Sequence, residues 1–179
     1  MPITVNLKDR SYPILVERGA LARAGKIIRA QADPIAKNTT TAVIVSDNNV
    51  GKLYSAAVAK SLKAAGFLKI ILISLPAGEK SKTLDQAGVL FDRMIRAGVH
   101  RDSVLIALGG GVIGDLAGFV AATYMRGIPL VQVPTTLLGM VDSAIGGKTA
   151  VNHPLCKNLI GAFYQPVCVI SDPDVLSTL

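Results

Sequence analysis

The chain has 179 residues, enough for one domain with a buried core. Half of the residues are hydrophobic and only 4% are aromatic, which favours an α/β domain with buried parallel strands over a β-sandwich or a disulfide scaffold. The net charge is +7, but its Lys and Arg residues are scattered singly and are not interleaved with aromatic residues. We therefore expect no nucleic acid partner. Binding of phosphorylated small molecules, or contact with an acidic partner segment, explains part of the excess of positive charge.

The termini and cysteines point to a cytoplasmic protein. Cys156 and Cys168 form neither a CxxC pair nor a zinc-binding spacing, so a reducing compartment is expected. The first residues, MPITVN, lack the basic and apolar regions of a signal peptide.

In chain order, the sequence predicts a hairpin and then alternating helices and strands. Ile3–Leu7 and Tyr12–Val16 predict an N-terminal β-hairpin, and a polar segment from Asp33 to Thr41 follows the first helix. Further strands are predicted at Ala42–Ser46, Lys69–Leu75, Ser103–Leu108, Pro129–Val133 and Pro166–Ser171. Helices are predicted at Ala20–Ala32, Val50–Ala65, from a Thr83 cap to Gly98, Asp115–Arg126 and Thr136–Ile145. This alternation predicts an α/β, Rossmann-like, doubly wound and mainly parallel sheet.

A membrane span is the alternative interpretation of Val104–Met125, which carries a single charge and GxxxG spacings. Three consecutive glycines and the charged Asp115 argue against it. A strand, a turn and a helix explain the same residues better, so we expect no membrane partner.

Polar motifs follow five of the predicted strands, where an open parallel sheet binds ligands. The motifs are SDNN at 46–49, PAGEKSK at 76–82, the glycine turn at 109–114, PTT at 134–136 and SDPD at 171–174.

The turn Gly109–Gly114 matches G-x-G-x-x-G between a strand and a helix, which favours a dinucleotide pyrophosphate site over a plain tight turn. The next strand, however, ends in Thr135 and Thr136 without the acid that binds ribose. Asp47 could supply that acid or cap its own helix. Asp115 is expected to cap its helix or to accept a hydroxyl hydrogen bond.

A second dense polar cluster spans 142–149 and includes Asn152, Lys157 and Asn158, which suit a phosphorylated, polyhydroxylated substrate. Asp142 stands where a P-loop requires glycine, so GGKT is not a Walker motif. Arg126 either stabilises the end of its helix or contacts phosphate. His100 and His153 have no metal-binding spacing, so no complete metal site is expected in this chain.

Three long segments resemble the 3-dehydroquinate synthase family in order and spacing: GGGVIGDLAGFVAATYMRG, VPTTLLGMVDSAIGGKTAVN and KNLIGAFYQP. The resemblance implies a shikimate-pathway enzyme that converts 3-deoxy-D-arabino-heptulosonate 7-phosphate to 3-dehydroquinate and phosphate. It also implies catalytic NAD, a divalent metal ion (zinc or cobalt) and a homodimer.

The resemblance assigns roles residue by residue. Together with the glycine turn, it implies NAD binding by Asp47, Asn49, Glu79, Lys82, Gly110, Gly111, Val112, Gly114, Asp115, Thr135, Thr136, Lys148, Lys157, Val175 and Thr178. It implies substrate binding by Arg126, Asp142, Lys148 and Asn158, with Asp142 and Lys148 as the catalytic residues.

Three features depart from the family pattern. Ala150 and Cys156 stand where glycine is expected, and Tyr164 stands where many members have His. Members are also about twice as long, and the resemblance places their metal ligands, one Glu and two His, in a helical C-terminal domain. Residues 1–179 are therefore expected to form the NAD-binding domain and to be inactive alone. Another sugar-phosphate cyclase, such as 2-deoxy-scyllo-inosose synthase, and a stand-alone nucleotide-binding module are the alternatives.

Overall fold

A computed structural model describes residues 2–34 and 39–179, so part of the polar segment predicted between Asp33 and Thr41 lies outside the described residues. The strands are β1 (Ile3–Val5), β2 (Tyr12–Val16), β3 (Thr41–Asp47), β4 (Lys69–Leu75), β5 (Val104–Gly109), β6 (Leu130–Pro134), β7 (Lys148–His153), β8 (Cys156–Phe163) and β9 (Cys168–Ser171). The helices are α1 (Ala24–Ala32), α2 (Asn48–Val50, continued by a π-helical turn at Gly51–Ser55 and by Ala56–Ala64), α3 (Leu84–Arg96) and α4 (Gly111–Thr123). Shorter turns are 3₁₀ at Lys8–Arg10, Ala20–Arg23, Glu79–Ser81, Tyr124–Arg126 and Pro173–Thr178, and π-helical at Gly139–Ser143.

Seven strands form one sheet in the order β1-β2-β9-β6-β5-β3-β4. All neighbours are parallel except β1 and β2, which form the predicted N-terminal hairpin. From β3 the chain first adds β4 on one side and then returns to add β5 on the other. This reversal is the topological switch point at which doubly wound sheets bind ligands. The predicted fold class is confirmed.

The central strands are buried on both faces, which explains the apolar composition. In β3, Val43 and Val45 pack on the face covered by α3 and α4, whereas Ala42 and Ile44 pack on the face covered by α1 and α2. All six residues of β5 are buried. Alternation of side chains along each strand thus supplies two hydrophobic cores from the same strands.

The hairpin β7–β8 was not predicted. Its strands pair antiparallel, with Thr149 opposite Ala162, and β7 lies across α4. A Cβ atom at Gly118 of α4 would be 2.4 Å from Thr149 Cγ2, so this glycine permits the close approach of helix and strand. The helix predicted at Thr136–Ile145 ends at Ser143 instead, and the polar cluster that follows it forms strands.

Helix α4 also differs from the prediction. It begins at Gly111, four residues before Asp115, and its N-cap is Gly110. The predicted capping role of Asp115 is therefore wrong. The helix ends at Thr123, and Arg126 lies in the following 3₁₀ turn, where it and Met125 have positive φ angles of 65° and 49°. Within residues 2–34 and 39–179 no helix combines the length and apolar character needed to cross a membrane.

Candidate functional site

The carboxyl ends of three neighbouring strands, β3, β5 and β6, meet at one edge of the sheet. Ser46 pairs with Leu108, and Gly109 pairs with Pro134, so the residues that follow these strands are brought together. The Ser46 hydroxyl donates to the Leu108 carbonyl over 2.7 Å and ties β3 to β5 at this edge. The switch point of the sheet therefore coincides with the glycine turn that the sequence singled out.

The glycine turn forms the N-terminus of α4. The first backbone N–H groups of a helix have no acceptor within it, and no side chain of the described residues caps them here. A Cβ atom at Gly110 would be 3.1 Å from Thr136 Cγ2, and one at Gly111 would be 3.0 Å from Ser143 Oγ. The segment after β6 packs closely against the turn, so a side chain at either glycine would displace Thr136 or Ser143. The open N–H groups and the helix dipole suit a phosphate.

Thr135 and Thr136 behave differently. The Thr136 hydroxyl accepts from the Gly139 N–H over 3.1 Å and caps the helical segment after β6. Thr135 is 3% exposed, and its Oγ1 atom is buried without a hydrogen-bond partner among the described residues. Since the Thr135 N–H also donates to the Gly109 carbonyl over 3.0 Å, this hydroxyl is a candidate donor to a ligand at the glycine turn.

Asp47 caps α2, because its Oδ1 atom accepts from the N–H groups of Asn49 (2.8 Å) and Val50 (3.0 Å). The capping interpretation left open by the sequence is therefore confirmed, and its predicted ribose contact stays a prediction. Tyr54 of α2 contacts the last 3₁₀ turn of the chain. Its hydroxyl donates to the Val175 carbonyl over 3.2 Å and lies 2.6 Å from Thr178 Oγ1.

Lys82 and Asp115 form a buried ion pair that the sequence did not predict. The Lys82 side chain is 5% exposed and that of Asp115 20%. Lys82 Nζ also donates to Asn158 Oδ1 over 2.5 Å. Burial raises the pKa of Asp115 above its usual range, the hydrogen bond and charge of Lys82 oppose this rise, and the charge of Glu79 adds to it. The pair joins the loop after β4 to α4 and to the hairpin β7–β8.

A cavity of about 510 Å³ opens between α4, the π-helical turn and the hairpin. It is lined by the predicted substrate residues Asp142, Lys148 and Asn158, and by Asp115. Its other lining residues are Ser143, Ile145, Thr149, Ala150, Leu159, Gly161, Ala162 and Phe163. Arg126 does not line this cavity and is exposed.

A second cavity of about 740 Å³ lies between the hairpin and the loop after β4, and it contains the predicted cofactor residues Glu79 and Lys157. The departure Cys156 lines the same cavity as an exposed free thiol. The departure Tyr164 has a structural role, since its hydroxyl donates to the Ile128 carbonyl over 2.8 Å and burial raises its pKa. The described part of the chain has no group of three His, Cys, Asp or Glu side chains that could hold a metal ion, so these residues do not fit the implied metal.

A family model described as 3-dehydroquinate synthase N-terminal matches residues 72–179. The chain belongs to the 3-dehydroquinate synthase family. It is 52% identical to the 3-dehydroquinate synthase of Desulforamulus reducens over 177 residues, which cover 99% of this chain and 48% of the relative. The identity to the Enterococcus faecalis enzyme is also 52%, over 100% of this chain and 48% of the relative. The chain thus spans about half the length of these relatives.

Solved structures of related cyclases share the fold. A 2-deoxy-scyllo-inosose synthase complexed with carbaglucose-6-phosphate, NAD+ and Co2+ superposes with a TM-score of 0.88 at 28% identity, covering 100% of this chain and 47% of that one. ValA, a 2-epi-5-epi-valiolone synthase from Streptomyces hygroscopicus with NAD+ and Zn2+ bound, superposes with a TM-score of 0.79 at 33% identity. That match covers 98% of this chain and 46% of ValA.

In this member of the 3-dehydroquinate synthase family, sequence reasoning missed the hairpin that forms one wall of the cavity. Leu159 and Phe163 line the cavity but were not singled out. Asn152 was predicted as a neutral donor to the substrate, and this contact stays a prediction; its hydrogen bonds within the chain were not predicted. The polar cluster and the resemblance to the family, not periodicity, brought the hairpin residues Lys148 and Asn158 to the site.

Proposed function

We propose that this chain forms the NAD-binding part of a 3-dehydroquinate synthase, which converts 3-deoxy-D-arabino-heptulosonate 7-phosphate to 3-dehydroquinate and phosphate. The observation that carries the proposal is the 510 Å³ cavity, in which Asp142, Lys148 and Asn158 meet Asp115. Asp115 in turn contacts Lys82, which belongs to the predicted cofactor set. Predicted substrate and cofactor residues therefore share one continuous site.

The cofactor is proposed to lie across the switch point. The open N–H groups at Gly111 and Val112 receive its pyrophosphate, and the unpartnered hydroxyl of Thr135 donates to it. Asn49, Lys157, Val175 and Thr178 surround it in the same proposal, whereas Thr136 and Asp47 act mainly as helix caps.

When bound, NAD would supply a hydride acceptor for a substrate carbinol, and the resulting ketone would acidify the neighbouring C–H and so assist loss of phosphate. Lys148 is exposed on β7 at the cavity and offers a positive charge to the substrate phosphate or hydroxyl groups. Asp142 offers a carboxylate that accepts a hydroxyl hydrogen bond, and Asn158 offers a neutral donor. We propose Asp142 and Lys148 as the catalytic residues, with Arg126 as a substrate residue outside this cavity.

The metal ligands and a second domain are proposed to lie in the half of the relatives that this chain does not match. The helical segment that carries Asp142 exposes Leu137, Leu138 and Val141, and β8 exposes Leu159 and Phe163 at the cavity. An apolar rim of this kind around a polar cavity suits a surface that another domain covers. We also propose a homodimer in the cytoplasm, where the free thiols Cys156 and Cys168 stay reduced.

Phosphate release tests the proposed function. The 179-residue chain is fused to the remaining half of the D. reducens relative and supplied with NAD, Zn²⁺ or Co²⁺ and the heptulosonate phosphate. We expect release of phosphate by the fusion and none by the chain alone. Glucose 6-phosphate in place of the heptulosonate tests the inosose synthase alternative, and release from that sugar only would overturn the proposal.

Two variants of the fusion locate the chemistry. Lys148→Ala is expected to reduce turnover at least a hundredfold, since it removes a charge that contacts the reacting substrate. Lys52→Ala removes an equally exposed lysine from α2, away from the cavity, and is expected to leave turnover unchanged. Equal rates for the two variants would contradict the assignment of Lys148.

Light scattering of the fusion tests the proposed homodimer and should give twice the monomer mass.

A further inference from the structure

Asn152 of β7 contacts three other residues of the site at once. Its Nδ2 atom donates to Glu79 Oε1 over 2.7 Å, and its Oδ1 atom accepts from the Asn158 N–H over 3.0 Å. Its backbone N–H donates to the Lys82 carbonyl over 2.8 Å. The Asn158 N–H can only donate, so the amide oxygen of Asn152 must face it and the amide nitrogen faces the Glu79 carboxylate.

A β-bulge makes these contacts available. The pairing of β7 with β8 shifts register between Val151 and His153, so Asn152 lies where the ladder of the hairpin is interrupted. Its backbone instead bridges in parallel to Thr83, in the loop after β4. Bulges of this kind redirect a side chain and its backbone groups away from the ladder, often next to active sites.

The contact with Asn158 supports an unusual backbone conformation. Asn158 has a φ angle of 57°, in the left-handed region, which is unfavourable for most residues other than glycine and which asparagine adopts when its side chain is hydrogen-bonded. In this conformation its backbone N–H reaches Asn152 while its side chain receives Lys82 Nζ. Asn158 therefore depends on Asn152 and Lys82 for the position in which it lines the cavity.

We propose that Asn152 is a positioning residue that couples the cofactor loop, residues 76–83, to the substrate residue Asn158. It holds Glu79 with one end of its amide and Asn158 with the other, so a displacement of either is transmitted to the other. This inference rests on the proposed function for the roles of Glu79 and Asn158, but the coupling itself is a property of the chain.

Amide hydrogen exchange of the 179-residue chain tests the coupling without any ligand. Asn152→Ala is expected to raise the exchange rate of the Asn158 amide at least tenfold. Glu79→Ala is also expected to raise the exchange rate of the Asn158 amide, several-fold. Among the described residues Glu79 makes no direct hydrogen bond to Asn158 and is linked to it through Asn152. Glu79 is exposed, so this second variant keeps the test valid if Asn152→Ala does not fold. An unchanged Asn158 amide in either folded variant would overturn the proposal.

NAD titration adds a functional measurement. Asn152→Ala and Glu79→Ala are each expected to weaken NAD binding about tenfold, and the double variant by clearly less than a hundredfold, because both remove the hydrogen bond between Asn152 and Glu79. If the affinity loss of the double variant equals the product of the two single losses, about a hundredfold, the proposal is overturned. Asn6→Ala, which removes an asparagine amide from the distant N-terminal hairpin, is the matched control and should bind as the unmodified chain does.

The two measurements separate this inference from the proposed function. Absence of NAD binding by the unmodified chain would count against the proposed cofactor site, and the exchange rates would still decide the coupling. Normal NAD binding with an unchanged Asn158 amide would retain the cofactor site and remove the role of Asn152.

Discussion

Thr135 carries a buried hydroxyl whose oxygen has no hydrogen-bond partner among the described residues, so removal of the hydroxyl breaks no hydrogen bond among them. Thr135→Val replaces this hydroxyl by a methyl group of similar size. Because no internal hydrogen bond is lost, the free energy of unfolding without ligand should stay unchanged or rise by about 1 kcal/mol. NAD binding should weaken about tenfold in the same variant. Urea unfolding and calorimetric titration measure the two quantities.

Thr149→Val is the matched control for that substitution. Thr149 is equally buried, but its hydroxyl donates to the Ala162 carbonyl over 2.9 Å. Its replacement leaves that carbonyl without its donor and should lower the free energy of unfolding by about 1 kcal/mol. Equal losses of stability in both variants would mean that Thr135 has an internal partner.

The ion pair of Lys82 and Asp115 makes stability depend on pH. A carboxyl with a raised pKa in the folded state contributes most stability below its unfolded pKa and loses that contribution as pH rises through its folded pKa. Lys82→Met removes both effects that oppose the rise but keeps the burial that causes it. The free energy of unfolding of the variant should therefore fall by about 3 kcal/mol at neutral pH and by a smaller amount near pH 4.

The double variant Lys82→Met with Asp115→Asn tests the cause. It leaves no buried charge, so most of the stability should return and the pH dependence should flatten. The measurement is urea unfolding between about pH 4 and pH 8. If the single variant is as stable as the unmodified chain at every pH, the pair makes no net contribution to folding.

The packing of α4 against β7 depends on Gly118, where a Cβ atom would lie 2.4 Å from Thr149 Cγ2. Gly118→Ala should therefore lower the free energy of unfolding by about 2 kcal/mol, despite the better helix propensity of alanine. Thr149→Ser removes the clashing methyl group and keeps the hydroxyl, so it should restore part of the loss. Thermal unfolding by circular dichroism measures the series.

Gly88 of α3 provides the control, since a Cβ atom there would meet nothing within 4 Å. Gly88→Ala should raise stability by about 1 kcal/mol, because only the backbone entropy of the unfolded chain changes. Destabilisation of both glycine variants to the same extent would contradict a specific contact at Gly118.

The sequence predicted elements well where residue types form a strong local pattern, even in a strand that is only partly buried. The apolar run of β4, Lys69–Leu75, has the predicted bounds, and Thr83 caps α3 through the Gln86 N–H as expected. The hairpin β7–β8 escaped prediction because β8 is largely exposed and has no alternation that marks a strand. The start of α4 was missed because glycine has low helix propensity, although the space at Gly110 and Gly111 favours a residue without a side chain.

The sequence predicted which residues belong to the site but not which of them contact one another. Motif order and family resemblance selected Asp142, Lys148 and Asn158, which the fold brings to one cavity. The contact between Lys82 and Asp115 joins residues 33 positions apart, and no local pattern marks such a pair. Long-range contacts of this kind arise only when the strands and the hairpin pack together.

At the scale of the whole molecule, the alternation of helices and strands predicted a parallel sheet, but not which strands are neighbours. The last strand, β9, inserts between β2 and β6, pairing Val169 with Ile14 and Cys168 with Val131. The N-terminal hairpin thus joins the parallel sheet only through the C-terminal strand. The two ends of the chain therefore stabilise each other.

The carboxylate of Asp172, directly after β9, connects these two ends through hydrogen bonds. Asp172 is 4% exposed, and its carboxylate accepts from the N–H groups of Gly19 (3.0 Å), Leu21 (3.0 Å) and Asp174 (3.1 Å). Asp172→Ala leaves these donors without an acceptor and should lower the free energy of unfolding by about 3 kcal/mol. Urea unfolding, followed by circular dichroism, measures the loss. Asp174→Ala, which removes only an exposed ion pair with Arg18, should cost less than about 1 kcal/mol. If the two variants lose equal stability, the ends of the chain are held by β9 pairing alone and not by the buried carboxylate.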